Sequence, residues 1–268
     1  METKETNKLT VKYDNELNSV AFHRLNAKEL DLFFTFCAKL KEKGTRKLFF
    51  TFSELKKIIQ FEPTSKQRFV NVADKLYEKM LTFTINSTDG TKRTRYNLFS
   101  GYEIDEKKQE LQISVNPDLM YLINNLVTRE YTLFEHREFV NIKSTYAKNC
   151  YRLLKQFRST GFCKIKINDF RNLLDIPKNY NMCDIDKRVL KPINNELKVL
   201  FKNLTIKKIK KQIKVEYIEF NFNKQLRIKS NLNKIKTSNL TNITKLQWNS
   251  DSIALSDNSY EVVWDYND

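Results

Sequence analysis

The sequence predicts an α+β chain built from two tandem copies of one small unit of helices and a hairpin. Three observations predict it: a repeated order of apolar patterns, matched helix starts in the two copies, and a one-sided run of basic charge in the second. The repeat is clearest between two segments, Leu48-Phe49-Phe50-Thr51-Phe52-Ser53-Glu54-Leu55-Lys56-Lys57-Ile58-Ile59 and Cys163-Lys164-Ile165-Lys166-Ile167-Asn168-Asp169-Phe170-Arg171-Asn172-Leu173-Leu174. Each opens as a short strand, alternating or wholly apolar. Each then offers a capping side chain, Ser53 or Asn168, followed by an acid, Glu54 or Asp169. A capping oxygen satisfies backbone N–H groups that a helix start leaves unpaired, and the acid suits the positive helix end. The apolar triplets Leu55, Ile58, Ile59 and Phe170, Leu173, Leu174 share one spacing, and Pro63 or Pro177 follows each.

A longer helix comes next in each half. The first is expected from about Ser65 to Leu81, with Phe69, Val72, Ala73, Leu76, Tyr77 and Met80 on one face. The second is expected from about Asp184 to Phe201, with Ile185, Val189, Ile193, Leu197 and Leu200 inward. Pro192 should kink it, because proline lacks the N–H that would bond the Arg188 carbonyl. A hairpin follows each long helix. The first is expected over Phe83–Ile85 and Tyr96–Phe99 with a turn at Asp89-Gly90, the second over Leu204–Ile206 and Val215–Phe220 with a lysine-rich turn. A further amphipathic helix precedes each repeat, Ala27 to Leu40 and Ser144 to Phe157. Helix, strand, helix, helix, hairpin is the order of a winged helix-turn-helix, so the chain reads as two tandem winged-helix domains. The expected limits are 9–127 for the first and 128–223 for the second, with strands and a short helix over 101–123 as an addition to the first. Residues 224–268 read as a polar, mobile tail.

Composition narrows the chemistry. The 268 residues are 40% hydrophobic, with 19 Phe and 12 Tyr, enough to build cores. No apolar run reaches bilayer length, and Met1 to Leu17 has no secretory core, so a cytoplasmic location without membrane attachment is expected. The four glycines, Gly44, Gly90, Gly101 and Gly161, are scattered and form no phosphate-cradling loop. The two histidines, His23 and His136, make no His-x-His metal pair of the kind a rolling-circle nickase uses beside its tyrosine. Cys37, Cys150, Cys163 and Cys183 lack CxxC spacing, so zinc is not expected and they read as free thiols. Neither catalysis nor a cofactor is expected.

Net charge is +16, from 48 basic and 32 acidic residues, and its placement matters more than its size. Lys187, Arg188, Lys191, Asn194, Asn195 and Lys198 fall on the side of the second long helix away from Val189, Ile193 and Leu197. The adjoining hairpin adds Lys207, Lys208, Lys210, Lys211 and Lys214, and the only acid from 187 to 214 is Glu196. Basic charge on one side of a helix and its wing marks a duplex-binding surface. A helix enters the major groove, where Arg or Lys pairs with guanine and Asn with adenine. Arg188, Lys191, Asn194 and Asn195 are the expected base contacts. The wing lysines, Lys143 and Ser144 suit phosphates, and the helix start at Ser144 offers backbone N–H groups to one. In the first half, Lys66, Gln67, Arg68, Asn71 and Lys75 are mixed with Asp74 and Glu78, and Lys92, Arg93 and Arg95 lie on the expected wing. That half should bind DNA less tightly, or serve interactions.

Three runs carry a resemblance: Tyr146-Ala147-Lys148-Asn149-Cys150-Tyr151-Arg152-Leu153-Leu154-Lys155-Gln156-Phe157, Asp169-Phe170-Arg171-Asn172-Leu173-Leu174-Asp175-Ile176-Pro177, and Lys187-Arg188-Val189-Leu190-Lys191-Pro192-Ile193. With their spacing they resemble the theta-type plasmid replication initiators of the RepA/RepE/RepB (Rep 3) family, especially those of Gram-positive cocci, over about Leu25 to Phe222. The resemblance implies binding to tandem origin repeats, the iterons, as a monomer that opens an adjacent AT-rich region. It implies recruitment of the host initiator and helicase. It also implies a homodimer, in equilibrium with the monomer, that represses its own gene. The second domain would read bases, and the first would contact the neighbouring turn and dimerise. A winged-helix regulator without a replication role would present the same surface. A nicking or primase-like enzyme is disfavoured by the missing histidine pair and phosphate loop.

Overall fold

The structure is a computed structural model. It describes residues 9–18, 22, 25–62, 65–82, 84–88, 93–124, 126, 130–225 and 246–249, of which 82, 84–88, 93–96 and 246–249 by backbone alone. Both halves fold as winged helices. In the first, α1 (Ala27–Leu40) is followed by β2 (Leu48–Thr51), α2 (Phe52–Ile58) and α3 (Lys66–Thr82). In the second, α5 (Thr145–Gln156) is followed by β8 (Phe162–Lys166), α6 (Ile167–Leu173) and a long helix over 182–197, here α7. The α1 range matches the sequence expectation residue for residue, because Asn26 caps it and exchanges hydrogen bonds with Glu29 in a complete capping box.

The caps of the two short helices differ from expectation. α2 is capped by Thr51, whose hydroxyl accepts from Glu54 N at 3.1 Å, so Ser53 lies inside the helix. Thr51 and Glu54 already have the spacing of a capping box, and the last strand residue outcompetes Ser53. α6 starts at Ile167 after Lys166, with no side-chain cap, and Asn168 is likewise internal.

Just before Pro192 the long helix departs from α geometry. Residues Asp186–Leu190 make one π-turn between the α-helical segments Met182–Ile185 and Lys191–Leu197, and the Lys191 N–H reaches back to the Asp186 carbonyl. The wider turn absorbs the bond that proline cannot make.

The sheets correct the assignment of the first wing. In the second half, β9 (Thr205–Lys211) and β10 (Lys214–Asn221) join β8 in the order β8-β10-β9. The matching sheet of the first half has the order β2-β6-β5, with β5 (Phe99–Asp105) and β6 (Glu110–Val115). The first wing is therefore the β5–β6 hairpin, which the sequence reading took for an addition. The expected wing, β3 (Thr84–Thr88) and β4 (Arg93–Tyr96), is an insertion whose strand β3 pairs instead with β11 (Leu246–Asn249). Its two strands carry strand-forming residues just after the helix, where a wing begins, so local pattern alone favours it. The Asp89-Gly90 turn and Lys92 lie outside the described residues, and of Arg93 and Arg95 only the backbone is described, in β4. β11 also places a strand inside the stretch read as a tail.

The halves share one core. β1 (Thr10–Asp14) pairs antiparallel with β7 (Tyr131–Glu135), so the first strand of one half completes a sheet with the first strand of the other. An aromatic chain continues across the seam: Phe34 meets Phe134 at 5.9 Å and Phe139 at 5.0 Å, Phe134 meets Tyr151 at 5.2 Å, and Tyr151 meets Phe201 at 5.8 Å. Edge-on aromatic pairs of this kind add about 0.5–1.5 kcal/mol each beyond area burial. Buried polar groups cross here too. The Lys148 ammonium donates to Asp31 Oδ1 at 2.5 Å and to the Phe139 carbonyl at 2.7 Å, with both side chains fully buried. The Arg152 guanidinium lies 4.4 Å from the Phe22 ring and donates to the Leu17 carbonyl.

His136, in α4 (His136–Asn141), places Nε2 2.8 Å from the Thr35 hydroxyl. Burial holds its pKa down to about 4, from an ordinary 6.5. The unfolded chain therefore takes up this proton first as pH falls, so stability is intact above pH 6.5 and lost between 6.5 and 4. Buried Asp31, whose carboxyl is pushed up to about 6 by desolvation against Lys148, works in the opposite sense over nearly the same range. Comparing wild type with His136→Gln cancels the Asp31 contribution. Wild type should lose up to about 3 kcal/mol more than the variant between those pH values, and urea unfolding at pH 7, 5.5 and 4 measures it. Parallel stability curves for the two proteins would contradict the assignment.

Candidate nucleic-acid interface

The interface is built on α7. Its buried side is Ile185, Val189, Ile193 and Leu197, all with no exposure. Leu190 is buried as well, whereas Lys187, Arg188, Lys191, Asn194, Asn195 and Lys198 turn outward together and are all exposed. Spaced at one, three or four residues, they form a single stripe. On β9 and β10, Lys207, Lys208, Lys210, Lys211 and Lys214 are exposed as well, while Ile206 and Ile209 are half-buried. Lys208 Nζ bonds Asp186 Oδ2 at 2.6 Å and ties the wing to the start of α7. Every sequence-predicted residue of this helix and wing therefore lies on the surface.

Arg188 is held before any ligand arrives. Its guanidinium sits 5.2 Å from the Tyr180 ring, its Nη1 donates to the Tyr180 hydroxyl at 3.3 Å, and Nε lies 3.8 Å from Asp184 Oδ1. Tyr180 is itself anchored, since Arg171 Nη2 donates to its carbonyl at 2.9 Å. Such ordering lowers the entropy lost when the side chain meets a base. Sequence reasoning missed Tyr180, which precedes α7 in an irregular loop and has no periodic signal linking it to Arg188.

Glu196 and Ser144 depart from expectation. The Glu196 carboxylate accepts from the backbone N–H of Lys143 at 2.6 Å and of Ser144 at 3.1 Å. The Ser144 hydroxyl accepts from Ala147 N at 3.3 Å and caps α5. The Lys143, Ser144 and Ala147 N–H groups are thus engaged within the chain, and the Lys143 side chain is exposed beside them. The same contact engages the one acid of the 187–214 run at a positive helix end, away from the basic stripe.

In the first half, Gln67, Arg68, Asn71 and Lys75 of α3 are exposed, and Gln67 Nε2 donates to Asn71 Oδ1 at 3.1 Å. Lys66 pairs with Glu106 on the β5–β6 wing at 3.5 Å, a helix-to-wing contact like that of Asp186 with Lys208 but with the charges exchanged. That wing turns through Asp105, Glu106, Lys107 and Lys108, where Asp105 Oδ1 accepts from two backbone N–H groups. Its mixed turn contrasts with the second wing, where Lys207 to Lys214 include no acid and Glu216 and Glu219 lie further along β10. Cys37, Cys150 and Cys163 are buried free thiols and Cys183 is exposed.

Comparison with known proteins agrees with this architecture. The profile described as "Initiator Replication protein, WH1" matches residues 10–155, and "Initiator Rep protein, WH2" matches residues 166–222. The chain belongs to the initiator replication protein (Rep3) family. This Rep3 chain is 34% identical over 193 residues to "Probable replication protein rep" of Bifidobacterium longum (strain NCC 2705), a match covering 69% of the chain and 63% of the relative's length. The Rep3 fold also aligns with the crystal structure of Pi initiator protein in complex with iteron DNA, at a TM-score of 0.65 and 14% identity, covering 81% of this chain and 97% of that one. No helix among the described residues is long and apolar enough to cross a membrane.

Proposed function

We propose that this chain is a plasmid replication initiator that binds iteron repeats in its origin, with α7 in a major groove and the β9–β10 wing on the flanking phosphates. The observation that carries this reading is the continuous exposed stripe from Lys187 to Lys198, joined to the five wing lysines and backed by a buried apolar face. Family membership and the fold shared with an iteron-bound initiator support it. Arg188, Lys191, Asn194 and Asn195 read bases, whereas Lys143, Lys187, Lys198 and the wing lysines hold phosphates. Residues 128–223 form the main reading domain. Residues 9–127 add backbone contacts through Lys66, Gln67, Arg68, Asn71 and Lys75 and form the dimer. Origin opening, recruitment of host initiator and helicase, and repression of its own gene by the dimer complete the reading. The chain acts in the cytoplasm by binding, without catalysis of its own.

Arg188→Ala and Lys191→Ala should each cost about 1–3 kcal/mol on the cognate repeat and relax the base preference at one position. Selection of binding sites from random duplexes by wild type and variants measures both. Unchanged site preferences in both variants would remove α7 from base reading. Maintenance of a plasmid carrying only the origin, in a strain that supplies the protein, separates an initiator from a regulator.

A further inference from the structure

The tip of the second wing holds an apolar side chain that the free chain has no use for. β9 and β10 are closed by a two-residue turn, Gln212-Ile213, between the paired Lys211 and Lys214. Gln212 takes a left-handed backbone with φ 57°, which Gly or Asn adopts at lower cost. Ile213 is 91% exposed, more than any other large apolar residue among those described. Neither residue is one that a tight hairpin turn selects, and an isoleucine in water buries no area.

The surroundings indicate what it meets. Strand β8 pairs with β10 only from Tyr217 onward, so the hairpin beyond it is a two-stranded ribbon, with one face toward the first turn of α6. Two residues of β9 and three of β10, with a bulge at Glu216, extend the ribbon by about 7 Å. Lys210, Lys211 and Lys214 flank the tip, and all are exposed. A minor groove is about 6 Å wide between walls of phosphate. That is too narrow for the ribbon and wide enough for one aliphatic side chain carried at its end.

We infer that Ile213 enters the minor groove next to the major groove occupied by α7, packing on sugars and base edges while Lys211 and Lys214 reach phosphates on the two walls. This deepens the proposed function and rests on it. Apolar side chains placed this way contact or part the base steps below them. The consequence is sequence preference at a position the helix never touches. The guanine N2 amino group obstructs the groove floor, and narrow A·T grooves concentrate negative potential around the lysines.

The test uses the full chain and a repeat that wild type selects from random duplexes. The step about half a helical turn from the α7 contact is built as A·T, G·C or inosine·C. Inosine·C matches G·C in the major groove and A·T in the minor groove. Wild type is expected to prefer A·T and inosine·C over G·C by roughly three- to tenfold, toward the low end of the usual effect of one base pair. Ile213→Ala and Ile213→Ser should bind all three alike while keeping the preference read by α7. Identical discrimination by wild type and both variants overturns the inference, as does G·C and inosine·C binding equally in wild type. Variants that change only the oligomeric state also overturn it, assigning Ile213 to a contact between copies. Failure of wild type to select any repeat instead defeats the proposed function, so the two failures are distinguishable.

Discussion

Replacing Lys148 with Met is expected to destabilise the chain by about 3–5 kcal/mol, the usual cost of stranding one partner of a buried ion pair. Lys148 and Asp31 are buried, come from α5 and α1, and are separated by 2.5 Å. The substitution roughly keeps the length of the side chain and removes its charge, taking the ammonium from both Asp31 and the Phe139 carbonyl and leaving Asp31 with Lys28 at 3.6 Å. Removing both charges together, as Asp31→Leu with Lys148→Met, should recover much of the loss, because an apolar pair needs no compensation. Chemical denaturation of the two single variants and the double variant closes the cycle. A single variant within about 1 kcal/mol of wild type would mean that the pair does not hold the two halves together.

Replacing Lys208 and Lys211 together with Ala should weaken binding to every duplex and leave base preference intact. Each phosphate contact contributes about 0.9 to the slope of log affinity against log salt, so the double variant should flatten it by about two. Lys208 also loses its bond to Asp186, an exposed pair worth about 0–1 kcal/mol to folding. The measurement is fluorescence anisotropy on specific and scrambled duplexes from 50 to 300 mM salt. An unchanged slope would place the wing away from the phosphates.

Much of this architecture was legible in the residues. The spacing of Leu30, Phe33, Phe34 and Cys37 defined α1, and the inward set Val189, Ile193 and Leu197 defined which side of α7 faces water. Such periodicities are local, and burial follows them directly. The first wing was not legible. Choosing between β3–β4 and β5–β6 depends on which strand lies beside β2, a tertiary decision that alternation within each hairpin leaves open. The shared core was hidden for the same reason. Lys148 and Arg152 look like solvated positions of an amphipathic helix, and only the packing of α1 against them makes them interior. The role of Glu196 was equally invisible, since its partners are backbone N–H groups more than fifty residues away.

The pairing of β1 with β7 also sets a schedule for synthesis. Thr10 emerges from the ribosome far ahead of its partner Glu135. At the usual elongation rates that interval is about 6–25 s. In its last part, after Val115 has been made, the first winged helix exists with an unclosed strand edge and with Phe34 lacking the rings of Phe134 and Phe139. The nascent chain therefore passes through a half-finished state that an early release, or a truncation before residue 135, would make permanent. Fusions and fragments meant to study the first domain alone should include the 131–135 strand, supplied in trans if need be, to close that edge.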